Sequence, residues 1–77
     1  MSKSVVVYSK PNCMQCLFTK KFLDEHHIAY TEKDVTASNE ALNEVKEMGF
    51  QSLPVISVEG ETPFYGFNPD LLESITQ

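Results

Sequence analysis

Cys13 and Cys16 are the two cysteines of this chain, and their spacing, Cys13-Met14-Gln15-Cys16, is one that supports redox chemistry. Three residues along a helix make roughly one turn, so two sulfurs so placed come within bonding reach of each other. A thiolate at the first position attacks a disulfide and forms a mixed disulfide. The second thiol then attacks the first sulfur, releases the reduced partner and leaves the pair oxidised. A purely structural crosslink fits the pair poorly, because the loop it closes is minimal and the entropic gain is smallest there. In a reducing compartment such a pair is read as catalytic or metal-binding instead.

The residues around the pair sharpen the assignment. Ser9-Lys10-Pro11-Asn12 separates the apolar, β-branched run Val5–Tyr8 from a stretch free of Gly and Pro that extends from Cys13 to about His26. This is a buried strand, a loop and a helix. Asn12 is read as the helix N-cap, with Cys13 in the first turn. There the unpaired N–H groups and the helix dipole favour negative charge, lowering the thiol below its free value of about 8.5. Lys10 adds a cation to the loop, and Cys16 is expected to point inward and to be the less exposed of the two.

Other chemistries fit less well. Copper and zinc carriers also place a CxxC between a first strand and a first helix, but their element order is βαββαβ. A Cys2His2 zinc site with His26 and His27 fails on spacing. It also fails on distance, since ten helical residues rise about 15 Å. These histidines read as solvated residues at a helix end, and no metal is expected. No Gly-rich nucleotide loop is present, so the chain is read as an intermediate carrier with no nicotinamide or flavin cofactor of its own. Six lysines, no arginine and eleven carboxylates leave a net charge of −5, which argues against nucleic acid and against tight small-anion recognition. The N-terminal apolar run of four residues is too short for a signal core or membrane span, which places the protein in the cytoplasm with no membrane partner.

Seventy-seven residues are read as one domain, residues 1–77, ordered except at the extreme ends. In the first helix Met14, Leu17, Phe18 and Phe22 recur as an apolar stripe. A second strand spans Ile28 to Val35, parallel to the first through the helical crossover. A second helix follows the capping-rich Thr36-Ala37-Ser38-Asn39, carries Ala41, Leu42, Val45 and Met48, and stops at Gly49. Val55–Val58 and Thr62–Tyr65 form a hairpin around Glu59-Gly60-Glu61. Asn68 caps a last helix that starts at Pro69 and buries Leu71, Leu72 and Ile75. The order βαβαββα implies an α/β, or layered α+β, domain. Its mixed four-stranded sheet carries helices on both faces, with the first and third strands central. Phe18, Phe22, Leu42, Val45, Leu71 and Ile75 are assigned to the core; Phe67 fits either the core or a wall beside Cys13.

Three separated segments carry a resemblance over almost the whole chain. They are Val7-Tyr8-Ser9-Lys10-Pro11-Asn12-Cys13-Met14-Gln15-Cys16, Gly49-Phe50-Gln51-Ser52-Leu53-Pro54-Val55, and Gly66-Phe67-Asn68-Pro69-Asp70. The sequence resembles the NrdH-redoxins, glutaredoxin-like members of the thioredoxin-fold superfamily. The resemblance implies the thioredoxin/glutaredoxin fold, with Pro54 a cis-proline opposite the CxxC pair and the backbone at Leu53 beside it pairing with the substrate chain. It extends partner contact to Lys10, Met14, Gln15, Gly66, Phe67 and Asp70. It also implies electrons drawn from the flavoprotein thioredoxin reductase and delivered to the large subunit of class Ib ribonucleotide reductase; a carrier that must present Cys13 to several partners is expected to work as a monomer. The family usually reads Trp-Ser-Gly-Phe-Arg-Pro-Asp where this chain has Phe64-Tyr65-Gly66-Phe67-Asn68-Pro69-Asp70. The rival in the same class is a glutathione-dependent glutaredoxin. Its usual Cys-Pro-Tyr-Cys, Thr-Val-Pro and Gly-Gly-x-x-Asp segments are replaced here by Cys13-Met14-Gln15-Cys16, Ser52-Leu53-Pro54 and Gly66-Phe67.

Overall fold

The computed structural model describes residues 4–75. The expectation of disorder at the extreme ends concerns residues 1–3 and 76–77, which lie outside the described residues. Strand β1 (Val5–Ser9) is apolar from Val5 to Tyr8 because it is central, with a neighbour on each side. Helix α1 (Met14–Glu25) crosses to β2 (Thr31–Asp34), which pairs with β1 in parallel. Helix α2 (Asn39–Glu47) leads to the antiparallel pair β3 (Val55–Val58) and β4 (Phe64–Tyr65), and α3 (Pro69–Ser74) follows. The strand order β2-β1-β3-β4 is that of the expected mixed sheet, with the first and third strands central.

Alternation along β1 and β3 divides the core in two. Val5, Val7, Ile56 and Val58 point to one face and meet Leu23 of α1 and Leu72 of α3. Tyr8 and Val55 point to the other and meet Ala41 and Val45 of α2, with Val35 beside them. The Tyr8 hydroxyl donates to Glu44 Oε1 at 2.9 Å, and Lys33 Nζ donates to the same oxygen at 3.1 Å, tying β1, β2 and α2 together.

Both longer helices stop in the same way. At α2, Gly49 adopts φ +88, its N–H donates to Lys46 O, and the Phe50 N–H donates to Val45 O. At α1 the left-handed residue is His27, φ +57, while the Ile28 N–H donates to Leu23 O at 2.9 Å. Ile28 then packs against the Leu23 cluster, so it belongs to the helix end and not to β2.

Several expectations need correction. Asn12 is not the N-cap. It adopts φ +62 in the turn before the helix, and Cys13 is the cap, its sulfur accepting the N–H of Cys16. The buried stripe of α1 is Cys16, Thr19 and Leu23, whereas Met14, Leu17 and Phe18 are 61%, 53% and 48% exposed. Thr19 enters the core without penalty because its hydroxyl donates to Gln15 O at 2.9 Å. Strand β2 is shorter than expected and polar, as suits an edge. In α3 Leu72 is buried while Leu71 faces out.

Leu23→Ala removes a fully buried side chain and is expected to cost about 2–5 kcal/mol in urea denaturation. Phe18→Ala, on the exposed side of the same helix, is expected to cost no more than about 1 kcal/mol. Burial, and then the bond to Glu44, push the Tyr8 hydroxyl up to about 12 from 10.0. A folded value above the unfolded one gives stability that is whole below pH 10.0 and is lost as pH climbs through about 12. The denaturation midpoint should therefore fall more steeply over that range in the parent than in Tyr8→Phe; parallel declines would show that Tyr8 is not the source.

Candidate functional site

Strand β1 ends at the site. Its last residue, Ser9, is buried, and the Ser9 hydroxyl donates to Glu32 Oε2 at 2.7 Å across the parallel pair. The chain turns through Pro11-Asn12, where an asparagine tolerates the left-handed conformation better than most residues. That turn delivers Cys13 to the N-cap of α1 and Cys16 to the inner face of its first turn.

The two cysteines are joined in a disulfide with their Cα atoms 5.2 Å apart. Their surroundings differ. Cys13 is partly exposed, while Cys16 is 1% exposed. The Cys16 N–H donates to Cys13 Sγ at 3.2 Å, and the Leu17 N–H donates to Cys13 O at 3.1 Å. In the reduced protein the same N–H and the positive end of α1 would bear on a thiolate at Cys13.

Two flanks adjoin the disulfide. One is built by Gln15, whose side-chain oxygen accepts the Phe67 N–H at 3.1 Å, tying the start of α1 to the turn before α3. Phe67 lies partly buried, its ring 5.9 Å from Phe18 and 6.4 Å from Phe22, so it packs toward the core. The other flank is a polar pocket of about 160 Å³ that reaches both cysteines and holds Lys10, Lys20, Glu32 and Asp34. Lys20 Nζ donates to Glu32 Oε2 at 2.7 Å. That bond, and then the Ser9 hydroxyl, hold the Glu32 carboxyl below the usual carboxylate range. Asp34 is held low as well, by the Thr36 hydroxyl and amide.

Of the residues singled out in the sequence, Lys10 thus borders the disulfide pocket, and Gln15 meets Gly66-Phe67. Met14 projects outward. The Leu53-Pro54 bond is cis, with Pro54 buried and Leu53 packed against the α2 side of the core. Asp70 lies in the first turn of α3. His26 ends α1 with its ring stacked on Phe22 at 4.2 Å, and no group of three or more metal-ligating side chains gathers among the described residues. Ser9, Lys20, Glu32 and Asp34 were not singled out. Lys20 carried a signal, four residues from Cys16 and so on the same helical face.

The glutaredoxin family model matches residues 5–62. A glutaredoxin-like protein NrdH from Lactococcus lactis subsp. cremoris is 45% identical over 71 residues, which cover 92% of this chain and 97% of that protein. The chain belongs to the glutaredoxin family, in its NrdH-type group. The glutaredoxin-like protein NrdH of Salmonella typhimurium is 28% identical, over 94% of this chain and 88% of its own. The solved structure of NrdH-redoxin from Escherichia coli superposes with a TM-score of 0.87 at 26% identity, covering 94% of this chain and 93% of that one. This is therefore an NrdH-type, glutaredoxin-like redox protein with a Cys13–Cys16 disulfide on a thioredoxin fold.

Gly66 adopts φ +82, and a Cβ there would lie 3.4 Å from the Gln15 side-chain oxygen. Gly66→Ala is expected to lose about 1–2 kcal/mol by urea denaturation, from the left-handed backbone. The same loss should appear in a Gln15→Ala background, because removing the neighbour does not relieve the backbone; full rescue there would make the cause a side-chain clash.

Proposed function

We propose that this protein is a dithiol-disulfide electron carrier in which Cys13 attacks and Cys16 resolves. In this reading it takes electrons from thioredoxin reductase and passes them to the large subunit of class Ib ribonucleotide reductase. The observation that carries the reading is the inequality of the two sulfurs: Cys13 is partly exposed at a helix N-cap, and Cys16 is buried one turn along. An exposed, dipole-facing sulfur suits attack on a protein disulfide, and a sheltered one suits attack from within. The reduced carrier would lose two electrons to the reductase disulfide, and the flavoprotein would restore the dithiol at the expense of NADPH.

Two features favour thioredoxin reductase over glutathione as the electron source. The Phe67 N–H, in the turn where glutathione-dependent relatives carry Gly-Gly, is already taken by Gln15. The Escherichia coli relative is described by a thioredoxin-like activity profile. Partner contact through Lys10, Met14, Leu53, Pro54, Gly66, Phe67 and Asp70 rests on the resemblance. Work as a monomer suits a carrier that presents Cys13 to more than one partner, and a cytoplasmic setting suits a CxxC pair that cycles in a reducing compartment; no helix among the described residues is long and apolar enough to cross a membrane.

NADPH oxidation coupled to reduction of a test disulfide discriminates the sources. Turnover is expected with thioredoxin reductase and not with glutathione plus glutathione reductase; the opposite pattern would make the protein a glutathione-dependent glutaredoxin. Cys13→Ser should abolish turnover. Cys16→Ser should accumulate a mixed disulfide at Cys13, visible by mass spectrometry, and absence of that adduct would reverse the roles.

A further inference from the structure

The polar pocket against the disulfide raises a question that the attack and resolution roles leave open. To resolve a mixed disulfide, Cys16 must give up its proton, yet at 1% exposure a thiol is disfavoured in its charged form. Something in its surroundings has to offset that cost. The charged groups that share a pocket with Cys16 are Lys10 from the loop, Lys20 from α1, and Glu32 and Asp34 from β2.

The carboxylates are poor candidates for taking the proton. Glu32 is engaged by Lys20 and Ser9, and Asp34 is engaged by Thr36, at 2.8 Å from its amide and 2.6 Å from its hydroxyl. Both are held ionised below the usual carboxylate range, so neither competes for a thiol proton. Lys10 is exposed on its loop. Lys20 is different: it is one helical turn from Cys16 on the same face, its side chain is 22% exposed, and its ammonium is fixed by a 2.7 Å bond to Glu32. Glu32 is anchored in turn by the buried Ser9 hydroxyl. With a volume of about 160 Å³, the pocket has room for water to carry a proton away.

We propose that Lys20 is a positioning residue for the resolving step, its ammonium held by Glu32, which Ser9 anchors in turn, so that the buried Cys16 can ionise into the pocket. This rests on the reading of Cys16 as the resolving thiol. In the step itself the Cys16 thiol loses its proton to pocket water. The Cys16 thiolate attacks Cys13 sulfur, the Cys13–partner S–S bond breaks, and the partner leaves as a thiolate. The protein is oxidised by two electrons and the partner disulfide is reduced by two.

The test uses the reduced full chain and dithiobis(nitrobenzoate), whose released aryl thiolate absorbs visible light, in a stopped-flow instrument across a pH series. Attack by Cys13 releases the first aryl thiolate, and attack by Cys16 releases the second. Lys20→Met is expected to slow the second phase about three- to tenfold at pH 7 and to move its pH midpoint upward by the corresponding half to one unit, with the first phase within about twofold of the parent. Lys20→Arg should restore the profile. Lys21→Met, an equal change of net charge at an exposed neighbour outside the pocket, should leave both phases as in the parent. Second-phase profiles that coincide for Lys20→Met and Lys21→Met would overturn the role of Lys20 alone, as would equal slowing of both phases. Release of a single aryl thiolate by the parent would overturn the resolving role of Cys16, and the role of Lys20 with it.

Discussion

The N–H of Cys16 donates to the sulfur of Cys13, and this 3.2 Å bond starts helix α1 and sets the rotational phase of everything after it. A side chain that caps a helix usually does so with oxygen. Using sulfur instead fixes Cys13 at the boundary between loop and helix, where it is partly exposed and faces the unpaired N–H groups of the first turn. Once that position is set, Cys16 can only fall on the inner face, followed by Thr19 and Leu23 at helical spacing. The difference in exposure between the two sulfurs is thus a consequence of the cap.

The sheet supplies the frame for that cap. Central β1 is buried on both faces, so its C-terminal end is held in place from both sides while the loop that follows is free to turn. Open α/β sheets bind and react at the C-terminal ends of their parallel strands, and here the parallel pair β1 and β2 ends at Ser9 and Asp34, both of which border the disulfide pocket. The pocket's charges therefore come from the parallel half of the sheet and from α1. The Gly66-Phe67 turn that binds Gln15 comes from the antiparallel half.

Element order, the hairpin, the Asn68 cap and the Gly49 stop were legible because each depends on a few neighbouring residues with strong local preferences. The phase of α1 was not. Counting Met14, Leu17 and Phe18 with Phe22 as the buried stripe follows hydrophobicity; Phe22 does pack against the core, but the face against the sheet belongs to Cys16, Thr19 and Leu23. Cysteine is among the most buried residue types, and a threonine whose hydroxyl bonds back to the preceding turn is apolar in effect. The length of β2 was misjudged for a related reason: Ile28 and Tyr30 are apolar because they pack beneath the end of α1, before the strand begins. The Cys13–Cys16 pair was plain from spacing, and the cis bond before Pro54 was reached only through family resemblance. The polar pocket needed the tertiary structure, since Glu32 meets Lys20 and Ser9 across twelve and twenty-three residues of chain.

Misreading α1 has a functional side. Met14, Leu17 and Phe18 are large apolar residues left in solvent on the helix that carries the cysteines, and Phe18 lies beside Phe67. Exposed singly, such residues need no explanation; gathered on one helix they leave a wall with little charge. Lys10, Lys20, Glu32 and Asp34 gather in the pocket against the disulfide, which Leu17 borders and Met14 and Phe18 do not. A buried thiol that must ionise needs nearby charge and water, and a wall of Met and Phe would suppress that ionisation. Hence the inward turn of Cys16 and Thr19 places Lys20 on the cysteine's side of the helix and keeps Met14 and Phe18 on its outer surface, with Leu17 at the edge of the pocket.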